Sequence, residues 1–273
     1  MGGLLRNYDN PPIPVGYHYV EGNWKEGFVI EREYDESQFV WVPVGFLNSN
    51  GTLDGRHFKE KFGRRTWGKA SFSDKYYHEN LTKELLEQVR SIKKYGGFYL
   101  SRFNISKSTN GVPQSKKGEK PWVDVSFEEA KKIAKSFETS EGLSTHLMYG
   151  AEYDSVLNWV VKSNSRMTNI ITIDSTIIGN HLNSRMGPGR IVETGSRKEW
   201  HVNQIFDLAG NVYEMNQEEY GRTNCTLRGA CYKMLGFVSS AVDRVYVDKN
   251  KAYDDVGMRI AMTISENAKC EYI

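Results

Sequence analysis

Cysteine is scarce in this 273-residue sequence: Cys225, Cys231 and Cys270 are an odd number near the C-terminus, without CxxC spacing or neighbouring histidines. That argues against a disulfide scaffold and against a locally completed zinc site. An excess of one charge is also lacking, because 36 basic residues nearly balance 34 acidic ones. No basic face large enough to hold a nucleic-acid backbone is implied, so nucleic acid is not an expected partner. Long hydrophobic runs are missing as well. The start, MGGLLRNYDNPPIPVG, reaches Asn, Asp and Pro after two leucines, and no later stretch is long enough to cross a bilayer. The expectation is synthesis and folding in a cytoplasm, without a signal peptide or membrane insertion. Gly2 lacks the Ser or Thr that myristoylation wants at the sixth position, where Arg6 stands. The six histidines include no HExxH or similar spacing.

Aromatic residues are what the chain has in quantity, with 16 Tyr, 12 Phe and 6 Trp in a composition that is 39% hydrophobic and 26% charged. Such side chains serve either binding surfaces or the core of a loop-rich fold. Apolar and polar residues alternate in GYHYVEGNWKEGFVIER on either side of Gly22-Asn23, which predicts a hairpin, and SQFVWVPVGF predicts a strand closed by Pro43. Leu85, Leu86, Val89 and Ile92 recur at helical spacing before Gly96-Gly97, and the strand FYLSRFNIS follows. Ser126 and Glu129 form a capping-box pattern ahead of a helix whose face is Phe127, Ala130, Ala134 and Phe137. A third helix is predicted in GAEYDSVLNWVVKS from Tyr153, Val156, Leu157 and Val160. Beyond Asn164 the pattern is loops rich in Gly, Asn, Ser and Asp between short strands, and residues 106–121 read as an exposed polar loop. Stretches of loop this long inside a compact domain usually serve function or surround a bound ion.

The ordered blocks FVWVPVG, GGFYLSRFNIS, PWVDVSFEEA, HLMYGAEYDSVLNWV, IFDLAGNVYEM, TLRGACY and DDVGMRIAM resemble the formylglycine-generating-enzyme-like, or sulfatase-modifying-factor, family. The resemblance runs from about Phe39 to Met262 and implies an α+β, C-type-lectin-like fold with two or three helices and much irregular loop. It divides the chain into an N-terminal β extension, 1–38, and the family domain, 39–273.

Asp207 and Glu214 lie seven residues apart across a glycine-containing turn, so two carboxylates and intervening carbonyls could converge on a hard cation. The resemblance implies structural calcium there, held by the side chains of Asp207 and Glu214 and the carbonyls of Gly210 and Val212. The alternative is a buried turn that is only hydrogen-bonded. Arg259, among apolar residues, reads as a buried partner for a carboxylate.

Family members that oxidise cysteine hold copper through two thiolates, whose offsets fall here on Met234 and Ser239. A thioether beside a hydroxyl does not replace that pair, so copper is not expected and Cys231 reads as packing. The iron-dependent sulfoxide synthases of the family use three histidines in an added helical domain. His18, His57 and His78 follow no four-helix pattern, so iron is not expected either.

The remaining branch uses the fold for binding, in phage receptor-binding proteins and in variable proteins of diversity-generating retroelements. There the segment between the RGG and GFR blocks is the ligand face, which implies Tyr232, Lys233, Phe237, Asp243, Arg244, Tyr246, Asp248 and Tyr253 as ligand-binding residues here. The expectation is a non-catalytic virion protein, displayed on a phage tail or surface, that contacts a bacterial surface glycan or protein and other tail proteins. Two rivals stay open: an oxidoreductase with a displaced metal site at Cys225 and Cys231, and a virion decoration subunit.

Overall fold

The computed structural model describes residues 9–44, 62–65, 67, 77–185 and 189–273. Gly2, Arg6 and His57 lie outside them. Four helices are described: α1 (Lys83–Tyr95), α2 (Phe127–Ser136), α3 (Gly150–Ser163) and α4 (Met167–Thr172). The strands, in chain order, are β1 (Ile13–Pro14), β2 (Tyr17–Glu21), β3 (Val29–Arg32), β4 (Gln38–Pro43), β5 (Tyr77–His78), β6 (Gly97–Ser101), β7 (Ser106–Lys107), β8 (Pro113–Gln114), β9 (Leu143–Leu147), β10 (His201–Val202), β11 (Ile205–Phe206), β12 (Tyr213–Tyr220), β13 (Asn224–Arg228), β14 (Arg244–Asp248), β15 (Val256–Met258), β16 (Ile260–Ile264) and β17 (Cys270–Glu271).

A six-stranded sheet, ordered β2-β3-β4-β6-β16-β9, forms the centre. The run Phe39-Val40-Trp41-Val42 is continuous rather than alternating because both faces of this sheet are covered. Phe39, Trp41, Tyr99 and Met262 join one apolar cluster, with α2 and the strands β12, β13 and β15. Val40, Val42, Phe98, Leu100 and Ala261 join the other, with Val156, Leu157 and Val160 of α3. The segment before Phe39 supplies the edge strands β2 and β3, and β1 pairs with β17 near the C-terminus.

The helices follow their local signals. α1 ends at Gly96, whose φ of 86° lets its N–H close on the Ile92 carbonyl. Leu85 and Ile92 face the core, while Leu86 is 38% exposed on the outer side. At the start of α2, Glu129 Oε2 accepts the Ser126 N–H at 2.8 Å and the Ser126 hydroxyl at 2.6 Å. At α3, Glu152 takes the Tyr149 N–H at 2.8 Å. Residues 106–121 form more than an exposed loop: β7 pairs with β8, and Pro113, Gln114 and Ser115 are buried. The hairpin of β2 and β3 is joined by a longer connection than Gly22-Asn23 alone. Beyond Asn164, the short α4 and a 3-10 turn at Thr176–Ile178 precede a second sheet, ordered β14-β13-β12-β15 with β5 also on β12. Among the described residues, no helix is long and apolar enough to cross a membrane.

Candidate binding face

The long loops beyond α4 are held together by one asparagine. Asn211 is fully buried with a left-handed φ of 58°, a conformation that asparagine tolerates better than most side chains. Its N–H donates to the Asn180 carbonyl at 2.7 Å, its carbonyl accepts the Tyr232 N–H at 3.0 Å, and its side-chain amide exchanges two 3.1 Å bonds with the backbone of Val192. Four loop segments therefore meet at one residue. Gly210 and Gly229 permit this approach, since a Cβ would stand 2.6 Å from the Asn180 carbonyl oxygen and 2.7 Å from that of Leu208, respectively.

Below this hub, Asp207 and Glu214 are both buried. Asp207 Oδ2 accepts bonds from the Thr194 hydroxyl at 2.7 Å and the Gly195 N–H at 2.9 Å. Glu214 Oε1 accepts from Asn104 Nδ2 at 2.9 Å and from Arg259 Nε at 2.8 Å. Burial raises both carboxyl pKa values, opposed at Glu214 mainly by the Arg259 charge and at Asp207 by hydrogen bonds from Gly195 and Thr194. Asp207 Oδ1 and Glu214 Oε2 are buried without a hydrogen-bond partner among the described residues, so each carboxylate keeps one oxygen open to a cation. The Arg259 guanidinium already supplies the positive charge beside Glu214, and calcium wants six to eight oxygen ligands. Among the described residues, no three His, Cys, Asp or Glu side chains converge to hold a metal. Val212 is buried in the turn.

A second charged network lies between α3 and the β12-β13-β14 sheet. Arg228 donates to Asp154 at 2.8 Å, and Arg244 donates to the other Asp154 oxygen at 2.5 Å and to Glu218 at 3.1 Å. Arg64 also reaches Glu218 at 3.1 Å, and the Arg228 guanidinium lies 4.2 Å over the Tyr153 ring. Burial opposes the Arg228 charge, but Asp154 and Glu218 outweigh it and its pKa is raised. At Arg244 burial and the neighbouring Arg228 prevail, and the pKa is lowered.

Arg244 therefore departs from its expected place on the ligand face: its side chain is only 4% exposed. The reason is long-range, since its carboxylates come from α3 and β12. Tyr232 is likewise buried, under the loop hub. Lys233 is half-exposed and bridges to Asp254 at 2.6 Å and Asp255 at 3.3 Å. Asp243 caps the turn at Ser240, Asp248 caps the turn at Asn250, and Tyr253 packs against the core edge. Tyr246 is 49% exposed and stacks on Tyr220 with centroids 3.9 Å apart, and Tyr220 in turn meets Tyr77 at 4.8 Å.

Phe237 is the expected ligand residue that stands farthest out, and it has company that the sequence reading missed. Val238, Ile173, Ile177 and Leu182 are also exposed. Their two loops are tied by bonds from Ser175 N–H to the Gly236 carbonyl, from Leu182 N–H to the Met234 carbonyl, and from Gly236 N–H to Asn183 Oδ1. The two loops thus carry five exposed apolar side chains on a hydrogen-bonded support. Their signal was the apolar density of NIITIDSTIIG inside an otherwise polar stretch.

Cys231 and Cys225 are both buried free thiols, and burial pushes each pKa up to about 12. A neutral, enclosed thiol is a poor nucleophile and a poor metal ligand.

No family model and no curated protein matches the sequence. Among solved structures, PvdO from Pseudomonas aeruginosa is similar over 85% of this chain and 96% of its own, at 13% identity and a TM-score of 0.52. CarF matches 62% of this chain and 87% of its own at 14% identity and a TM-score of 0.45. Treponema denticola variable protein 1 matches 93% and 94% at 14% identity and a TM-score of 0.33. The chain has a mixed α+β fold of the C-type-lectin-like, formylglycine-generating-enzyme-like kind.

Proposed function

We propose that this is a non-catalytic binding protein whose contact surface is the loop face carrying Phe237. The observation that carries the reading is the set of apolar side chains Ile173, Ile177, Leu182, Phe237 and Val238, exposed on two loops that are hydrogen-bonded to each other. Grouped exposed apolar side chains mark interaction sites, and a rigid support lowers the ordering cost of binding. Neutral, buried Cys225 and Cys231 support a role without thiol chemistry. In the setting that the sequence resemblance implies, the protein belongs to a phage or prophage particle and meets a bacterial surface glycan or protein beside other tail components.

The test is a pull-down with labelled protein against a panel of bacterial cells and stripped cell walls. Strain-selective binding that falls at least tenfold in the double variant Ile177→Ala/Phe237→Ala is the expected result. Equal binding by the variant, or none by the native chain on any strain, overturns the reading.

A further inference from the structure

Elsewhere in the chain, the segment that carries β7 and β8 meets the loop at residues 193–195 and encloses an open cleft of about 520 Å³. Its walls are fixed by backbone. Gly118 N–H donates to the Thr194 carbonyl and Thr194 N–H to the Glu119 carbonyl, both at 2.9 Å. Trp122 N–H donates to the Ile105 carbonyl at 2.7 Å, and Ser106 bridges to Pro121. Trp122 is half-buried, packed on one side against the core. Exposed Lys107 places its ammonium 4.9 Å from the centre of the indole ring, which identifies the outward ring face.

The charged residues lining the cleft with Trp122 are Lys107, Lys120, Glu119 and Glu193. Two cations and two anions share the cleft, yet none of the four forms an ion pair with another or with any other described residue. The Trp122 indole N–H has no hydrogen-bond acceptor among the described residues either. The cleft thus offers an apolar ring floor, donors from two ammonium groups and an indole, acceptors from two carboxylates, and no net formal charge. An anion would meet Glu119 and Glu193, and a cation would meet Lys107 and Lys120. A neutral molecule with one apolar face and a rim of hydroxyls, each able to donate and accept, meets no such opposition.

We infer that the Trp122 cleft is a subsite for a neutral sugar ring, which stacks on the indole in place of the Lys107 ammonium and hydrogen-bonds through its hydroxyls to Glu119, Glu193 and Lys120. The cleft volume falls within the range of roughly 300–1,000 Å³ usual for small-molecule sites. The inference rests on the binding reading above in making this chain a binder, but it shares no residue with the two apolar loops, so the two are separable.

The experiment uses the full chain and saturation-transfer-difference NMR with chitotriose, cellotriose, maltotriose and mannotriose, each titrated to 10 mM, with tetramethylammonium and inorganic phosphate as charged competitors. At least one trisaccharide binds saturably, and neither competitor displaces it. Trp122→Ala weakens that binding at least tenfold. Because Trp122 also touches the core, the exposed double variant Glu119→Ala/Glu193→Ala is measured alongside, with an unchanged melting temperature and at least threefold weaker binding. No binding by any of the four, displacement by tetramethylammonium or phosphate, or full binding in the Glu119→Ala/Glu193→Ala variant overturns the inference. Trisaccharide binding that survives in Ile177→Ala/Phe237→Ala while cell capture is lost shows the two sites to be independent. Cell capture through Phe237 with no trisaccharide binding removes the sugar subsite alone.

Discussion

Arg259 and Glu214 form a fully buried ion pair in which Nε and Nη2 of the guanidinium lie 2.8 and 2.6 Å from the same carboxylate oxygen. The remaining arginine hydrogens go to the carbonyls of Ser101, Arg102 and Phe206, so one side chain joins the central sheet to β11 and β12. Buried pairs of this kind are costly to break because the survivor is left charged and desolvated.

Arg259→Ala is therefore expected to destabilise the fold by about 3–5 kcal/mol. Chemical denaturation measures it. Because the guanidinium supplies the positive charge at Glu214, addition of a calcium chelator leaves the melting temperature within about 1 °C. A drop of several degrees with chelator would place a metal at Asp207 and Glu214.

Glu79 accepts the Ala151 N–H at the start of α3, and its carboxyl pKa is raised to about 8 by burial and by the nearby Glu218 charge. The folded state thus holds a proton that the unfolded chain releases near the ordinary glutamate value. Stability from this group is complete below about pH 4.5 and declines as pH rises through about 8. Glu79→Gln removes that decline. Its stability relative to the native chain is expected to rise by on the order of 4 kcal/mol between pH 5 and pH 8.5, read from urea midpoints. Parallel pH profiles for the two chains would contradict this.

Arg244 and Tyr246 are two residues apart in β14 but differ in what they support. Arg244→Ala leaves Asp154 and Glu218 short of a buried cation and is expected to cost about 3 kcal/mol or more. Tyr246→Ala loses one exposed ring stack, worth about 1 kcal/mol. Thermal melts of the two variants separate them, and similar losses would place Arg244 nearer to solvent than the geometry does.

Thiol accessibility gives an independent check on the cysteines. At pH 8, an aromatic disulfide reagent is expected to modify half-exposed Cys270 in the native protein. Cys225 and Cys231 react only after unfolding, because both are enclosed and their thiols remain protonated. Rapid labelling of Cys231 in the native chain would reopen a redox role.

The three longer helices and the β4 strand were legible because their signals are local. The Ser126-Glu129 cap, Gly96 after Ile92, and the Phe39-to-Val42 run all operate within a few residues. The candidate face was legible only in part. Phe237 is exposed, while Arg244 turns inward to carboxylates at Asp154 and Glu218, 90 and 26 residues away. No local pattern encodes that pairing.

The sequence by itself determined the periodic elements, the glycine-containing turn between Asp207 and Glu214, and the lack of an unbalanced charge. Tertiary structure alone decided which charges are buried against one another, which loops meet at Asn211, and which apolar side chains remain outside. The physical reason is range: backbone preference and side-chain periodicity act over one or two turns. Desolvation of Arg259, exposure of Ile177 and the meeting of Glu119 with Glu193 at the Trp122 cleft depend on segments that only folding brings together.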